Sequence, residues 1–230
     1  LSRFPVGNNV DAPGLPLIST SRWDTGVQLH GVAGMIEWTG AVTAGSLSDP
    51  RFHDNNSGRQ LAGRAVVRPA ASMMFGVSAA RGAWLNETLE EDVTGGHDRS
   101  QQVAFGADAE YSAGPFLVRG EVIRSTWQMP RFGALQLDEP LAAISSLIEG
   151  RYKIAPGLYV AARGERLDFS AVRGSQGLTE WDAQTWRFET AVGYSITRNV
   201  IAKGAWQMNG RDGGRVRQDA LFAAQVVYWF

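Results

Sequence analysis

The chain has no cysteine among its 230 residues, which removes disulfide frameworks and thiolate metal or redox centres from consideration. No apolar stretch reaches the roughly 18 to 20 residues that a membrane-spanning helix needs, so a bundle of such helices is excluded. Excess charge is missing too. Lys+Arg total 22 against 23 Asp+Glu, a formal net charge of -1, so bulk electrostatics offers no attraction to nucleic acid or to an anionic membrane surface. A basic segment followed by a short apolar core is absent, and the start at Leu1 reads as an internal cut with any export signal outside it.

What is present is alternation. In Ala220 to Phe230, Phe222, Ala224, Val226, Tyr228 and Phe230 fall on one side, with Ala223, Gln225, Val227 and Trp229 on the other. Strand periodicity of two makes such a segment a wall with one oily and one wet face. A mean hydropathy of -0.17 fits this reading, because a barrel exposes only every second residue to lipid.

Alternating segments are joined by short Gly/Pro/Asn turns and by long polar loops, taken in turn. Trp23–Val32 and Met35–Ala44 meet at Ala33 and Gly34, and Leu61–Arg68 and Met73–Leu85 flank Pro69 to Ser72. Gln102–Tyr111 and Phe116–Trp127 flank Ser112 to Pro115, and Leu141–Ile154 and Leu158–Phe169 meet at Ala155 to Gly157. Gln184–Thr197 and Val200–Asn209 meet at Arg198 and Asn199, before the terminal strand. Between the pairs, 45–60, 86–100, 128–140, 170–183 and 210–219 read as long loops.

This is about eleven strands of roughly 8 to 14 residues, long enough to cross a bilayer when tilted. The fold class predicted is all-β, an antiparallel transmembrane β-barrel. One domain covers 1–230, with 1–21 a loop-like lead-in and 22–230 the strands. Bacterial single-chain barrels carry an even strand number, so eleven implies either a strand hidden in residues 1–21 or strands preceding Leu1. Pro5, Pro13, Gly14 and Pro16 favour the second.

Aromatic residues suggest two interfacial girdles. Tyr111, Phe116, Tyr152, Tyr159, Tyr194, Tyr228 and Phe230 lie near short turns; Trp38, Trp84, Trp127 and Trp206 are assigned to the long-loop ends. Opposite the apolar positions fall Asp24, Glu37, Asp108, Glu110, Glu121, Glu149, Glu165 and Glu189, with Arg64, Arg68, Arg119, Arg151, Lys153, Arg163, Arg187 and Lys203. Placing them toward lipid would cost about 2–4 kcal/mol for each Arg or Lys at the midplane, so this face is the wet one. The candidate pore-lining residues are Arg64, Arg119, Glu121, Glu149, Arg151, Arg163, Glu165, Arg187, Glu189 and Lys203, with Arg151, Arg163 and Arg187 as a basic stripe. The alternative is a ladder of ion pairs that only solvates the wall.

No catalytic, cofactor-binding or metal residue is assigned. His30, His53 and His97 stand beside no nucleophile motif, so the chain does not read as an enzyme. His53 with Asp49, Asp54 and Asn55, or Asp92 with Glu90 and Glu91, offers hard oxygen ligands for a divalent ion; a solvated acidic loop accounts for them more simply. The glycines at 94–96 and 210–214 precede no helix and cradle no phosphate.

The run from Tyr152 to Arg163, with Arg166 to Phe169, Arg187 to Glu189, Gly193 to Asn199 and Asn209 to Gly214, resembles the C-terminal half of outer-membrane porins of the phosphate-selective porin-like group. The similarity spans roughly 22–230. It implies a barrel of about sixteen strands, a homotrimer and a bacterial outer-membrane location. The expected function is passive diffusion of small hydrophilic solutes or ions through a polar lumen, with outer-membrane lipid as the other partner, no nucleic acid and no cofactor. A barrel plugged by loops or partners, anchoring a surface assembly, is the rival, and a soluble β-sandwich the third possibility.

Overall fold

The computed structural model describes residues 24–45, 47, 58–84, 101–129, 140–174, 177–212 and 218–229. They contain thirteen strands. The first eight are β1 (Gly26–Ala33), β2 (Ile36–Thr43), β3 (Gln60–Ala70), β4 (Met73–Ala83), β5 (Gln101–Ala113), β6 (Phe116–Trp127), β7 (Leu141–Ala155) and β8 (Leu158–Phe169). After them come β9 (Ala171–Gly174), β10 (Gly177–Glu180), β11 (Thr185–Thr197), β12 (Val200–Arg211) and β13 (Gln218–Tyr228). Eleven form one sheet in the order β1-β2-β3-β4-β5-β6-β7-β8-β11-β12-β13, antiparallel at every step.

Spatial order follows chain order, as in the wall of an up-and-down barrel. The expected all-β antiparallel fold of eleven wall strands is the one found, and two stacked sheets are not. One loop needs correction: 170–183 contains β9 and β10, which pair only with each other. Among the described residues β1 and β13 each have one neighbour and do not pair together. Residues 1–21, His53, His97 and the acidic loop positions fall outside the described residues.

Local chemistry sets the short turns. Gly34, Gly114 and Gly157 have φ of 62°, 56° and 81°, left-handed values that cost glycine nothing and let a tight hairpin match the strand twist. Pro69 sits where the β3–β4 register shifts between Val67 and Ala70, so its missing N–H breaks no regular ladder bond.

Register carries each side chain type across the whole sheet. Phe75, Ala109, Gly120, Ile148, Gly164, Phe188 and Met208 are successive partners from β4 to β12. This row contains no polar side chain, and Ile148 is 63 % exposed and Val77 60 %. An apolar face of that extent does not stand in water; it marks contact with lipid or protein.

Candidate functional site

The opposite face is a charge ladder. Glu110, Arg119, Glu149, Arg163, Glu189 and Gln207 are directly paired across β5, β6, β7, β8, β11 and β12. Signs alternate along the five charged members, which is what cross-strand Coulomb attraction favours. Arg119 Nη2 lies 2.9 Å from Glu149 Oε1, and Arg163 Nη2 donates to Glu189 Oε2 at 3.0 Å.

The next row toward the long loops runs Asp108, Glu121, Leu147, Glu165, Arg187 and Asn209. Glu165 accepts from Arg187 Nη1 at 3.1 Å and lies 3.4 Å from Arg163 Nε, so one carboxylate serves two arginines. Arg187 Nε also donates to Asn209 Oδ1 at 2.9 Å. These groups are mostly turned away from solvent, with Glu165 10 % exposed, and desolvation makes each lost partner costly.

A second device spans β3 to β5. Arg64 Nη1 and Nη2 donate to Asp108 Oδ1 and Oδ2 at 2.6 and 2.8 Å, a bidentate pair passing over the intervening β4. Gly76 makes the crossing possible, since a Cβ there would sit 2.5 Å from Arg64 Nη2 and 2.6 Å from Asp108 Oδ1. Gly76→Val is therefore expected to break this bridge and cost about 1–3 kcal/mol through overpacking, measured as a lower urea midpoint of the lipid-reconstituted chain. Glu37 holds Arg68 Nε at 2.9 Å further along the same face.

All ten sequence-predicted lining residues fall on this face by register. They do not make one basic stripe. Arg163 and Arg187 are neutralised by Glu165 and Glu189, while Arg151 lies 5.5 Å from the ring centroid of Tyr159, a cation–π placement. Lys203 is exposed on the same face, opposite Gly193 and Gln225. A depression of about 640 Å³ opens between Arg151, Lys203, Tyr159 and Gln225.

Two aromatic assignments change. Tyr111, Phe116, Tyr152, Tyr194 and Tyr228 do stand on the apolar face near the short turns, with Phe116 and Tyr152 centroids 4.7 Å apart. Tyr159 instead has the parity of the ladder and lies over Gly193, where no Cβ could fit. The tryptophan row dissolves. Trp127 is 3 % exposed and, by its pairing with Gln102 and Leu141, faces the ladder side, and Trp84 packs against the same cluster. Trp38 lies two residues into β2 from a short turn, and Trp206 is midway along β12. Phe230 is outside the described residues.

That buried cluster reveals an element the alternation did not show. Trp127, Leu141, Ala143 and Leu167 gather around Val172 of β9, with Trp181 and Phe169 beside them. Residues 170–174 and 177–184 therefore fold back over the ladder face at its long-loop end. They are tied down by Ser170, whose Oγ accepts from Ala142 N at 2.9 Å, and by an ion pair of Asp182 with Arg211. Their sequence signal was weak: four-residue strands around Gly174 to Gly177 are too short for periodicity to separate from a turn.

No protein family and no curated protein matches the sequence. Solved structures do. The outer-membrane protein OmpT of Vibrio cholerae superposes with a TM-score of 0.62 at 11 % identity, covering 90 % of this chain and 65 % of OmpT. A porin refined at 1.8 Å gives 0.61 at 10 % identity, covering 95 % of this chain and 67 % of that one. An anion-selective porin from Comamonas acidovorans gives 0.60 at 10 % identity, covering 94 % and 63 %. The fold is thus that of an outer-membrane porin barrel wall, and the chain spans about two thirds of these proteins' length.

Proposed function

We propose that this chain is the greater part of a bacterial outer-membrane porin that lets small hydrophilic solutes or ions diffuse through a polar lumen. The carrying observation is the alternating ladder from Glu110 to Gln207, set behind an apolar row that only hydrocarbon or a like face can cover. A wall with fixed, mutually neutralised charges wets a pore without binding its traffic tightly. The proposal includes a single barrel domain of about sixteen strands, since among the described residues β1 and β13 each have one neighbour and closure of antiparallel strands needs an even count.

The exposed Arg151 and Lys203 support a weak anion preference on the β7–β12 side. Selectivity for phosphate would need more: Arg163 and Arg187 already hold carboxylates. OmpT also occurs in a trimer form, and the apolar face here suits a homotrimer as well as lipid. Neither catalysis nor a cofactor enters this reading.

A plugged barrel is favoured by one observation, residues 170–174 and 177–184 packed on the ladder face. Planar-bilayer recordings decide between them. Stepwise currents from the full chain support the porin. A folded barrel that is silent at every voltage, and conducts once residues 171–180 are excised, would establish the plug.

A further inference from the structure

Among the described strand residues of the eleven-stranded sheet, the apolar face carries cations at one level. Arg81 on β4, Arg124 on β6 and Arg166 on β8 each stand eight residues beyond the residue that opens the strand, Met73, Phe116 and Leu158. Register assigns all three to the apolar face: Arg81 is paired with Leu61 and Val103, Arg124 with Phe105 and Ile144, and Arg166 with Ser146 and Trp186.

Their stagger is regular. Between Arg81 and Arg124 the partner on β5 moves from Val103 to Phe105, and between Arg124 and Arg166 the partner on β7 moves from Ile144 to Ser146. One residue per strand is a rise of about 3.3 Å for each strand spacing of about 4.8 Å, an inclination of about 35°. That lies within the usual tilt of barrel strands, so the three guanidinium groups sit at one membrane height. Neighbours on the line are about 12 Å apart.

The level is the long-loop rim of the apolar band, where an arginine can extend its head into the polar headgroup layer at little cost. Arg166 is already held by Asp168, with Nε 2.8 Å from Oδ2. Arg81 Nε reaches Gln101 Oε1 at 3.3 Å, a neutral partner, and Arg124 is exposed. Arg81 and Arg124 thus offer two uncompensated cations among the described residues, flanking the apolar side chains of Val103 and Phe105.

We propose that Arg81 and Arg124 bind the phosphate groups of the glycolipid in the outer leaflet, with acyl chains lying on Val103 and Phe105. Charge complementarity, and apolar side chains on the strand between the two cations, select an amphiphile with a phosphorylated head over a free anion. The proposal rests on the porin reading above, since outer-membrane barrels turn their longer loops to the cell exterior.

The test titrates the detergent-solubilised full chain with bisphosphorylated lipid A, with the same lipid stripped of both phosphates, and with inorganic phosphate as competitor. The unmodified chain should bind the phosphorylated lipid at least about tenfold more tightly, and an Arg81→Gln/Arg124→Gln variant should lose roughly 10–30-fold. Equal affinity for the two lipids overturns the proposal without any variant having to fold. Undiminished binding by the double variant, or displacement by millimolar phosphate, overturns it too. Conductance of the double variant should match the unmodified chain; silence of both would sink the channel and leave the lipid result readable.

Discussion

Arginine in place of Ile148 is expected to weaken folding in a bilayer by about 2–4 kcal/mol, the cost of an arginine facing hydrocarbon at the midplane. Ile148 lies halfway along β7 between Tyr152 at the short-turn end and Ile144 at the level of Arg124, paired with Gly120 and Gly164. Its neighbours across the sheet are glycines, so no side chain there offers the guanidinium a partner. A protein standing in water would tolerate the same change within about 0.5 kcal/mol, because Ile148 is an exposed position. Urea titration in lipid vesicles of Ile148→Arg against Ile148→Leu measures the difference. Indistinguishable midpoints would remove lipid from this face, and the porin reading with it.

Neutralising Glu165 should have the second large effect, on selectivity rather than insertion. Its carboxylate lies between Arg163 and Arg187; Glu165→Gln keeps both arginines in place and removes the negative charge they share. The local potential turns positive in a water-lined wall, and the anion-to-cation permeability ratio is expected to rise about 3- to 10-fold at low salt, fading as the screening length shrinks. Loss of the charged bonds should also cost about 1–3 kcal/mol, less than for a pair sealed from water. Reversal potentials in a KCl gradient read the first effect and urea midpoints the second. Arg163→Gln should move the reversal potential the other way. An open channel whose reversal potential ignores both changes would show that the ladder lies off the conduction path.

Much of this wall was legible because strand periodicity is local. The alternation in Leu141–Ile154 or Gln184–Thr197 needs no knowledge of neighbours to sort Glu149 and Arg187 from Ile148 and Phe188, and the observed strands end within three residues of the expected bounds. Glycine at Gly34, Gly114 and Gly157 marked the turns for an equally local reason, a φ that other residues resist. The errors fell where parity alone could not decide an environment. Trp127 and Tyr159 are aromatic strand residues like Trp206 and Tyr194, yet they face the ladder side.

The sequence by itself determined the class of the fold, the two faces, the identity of the charged residues and the pairing of consecutive strands, because each follows from dihedral preference and a two-residue repeat. Tertiary structure decided which charges meet. Arg64 reaches Asp108 over Gly76, and Glu165 takes two arginines, through registers that depend on strands far apart in the chain. It also decided that β9 and its flanks turn back onto the ladder face, since burial of Val172 beneath Trp127 and Leu141 is a property of their assembled contact and of no segment alone.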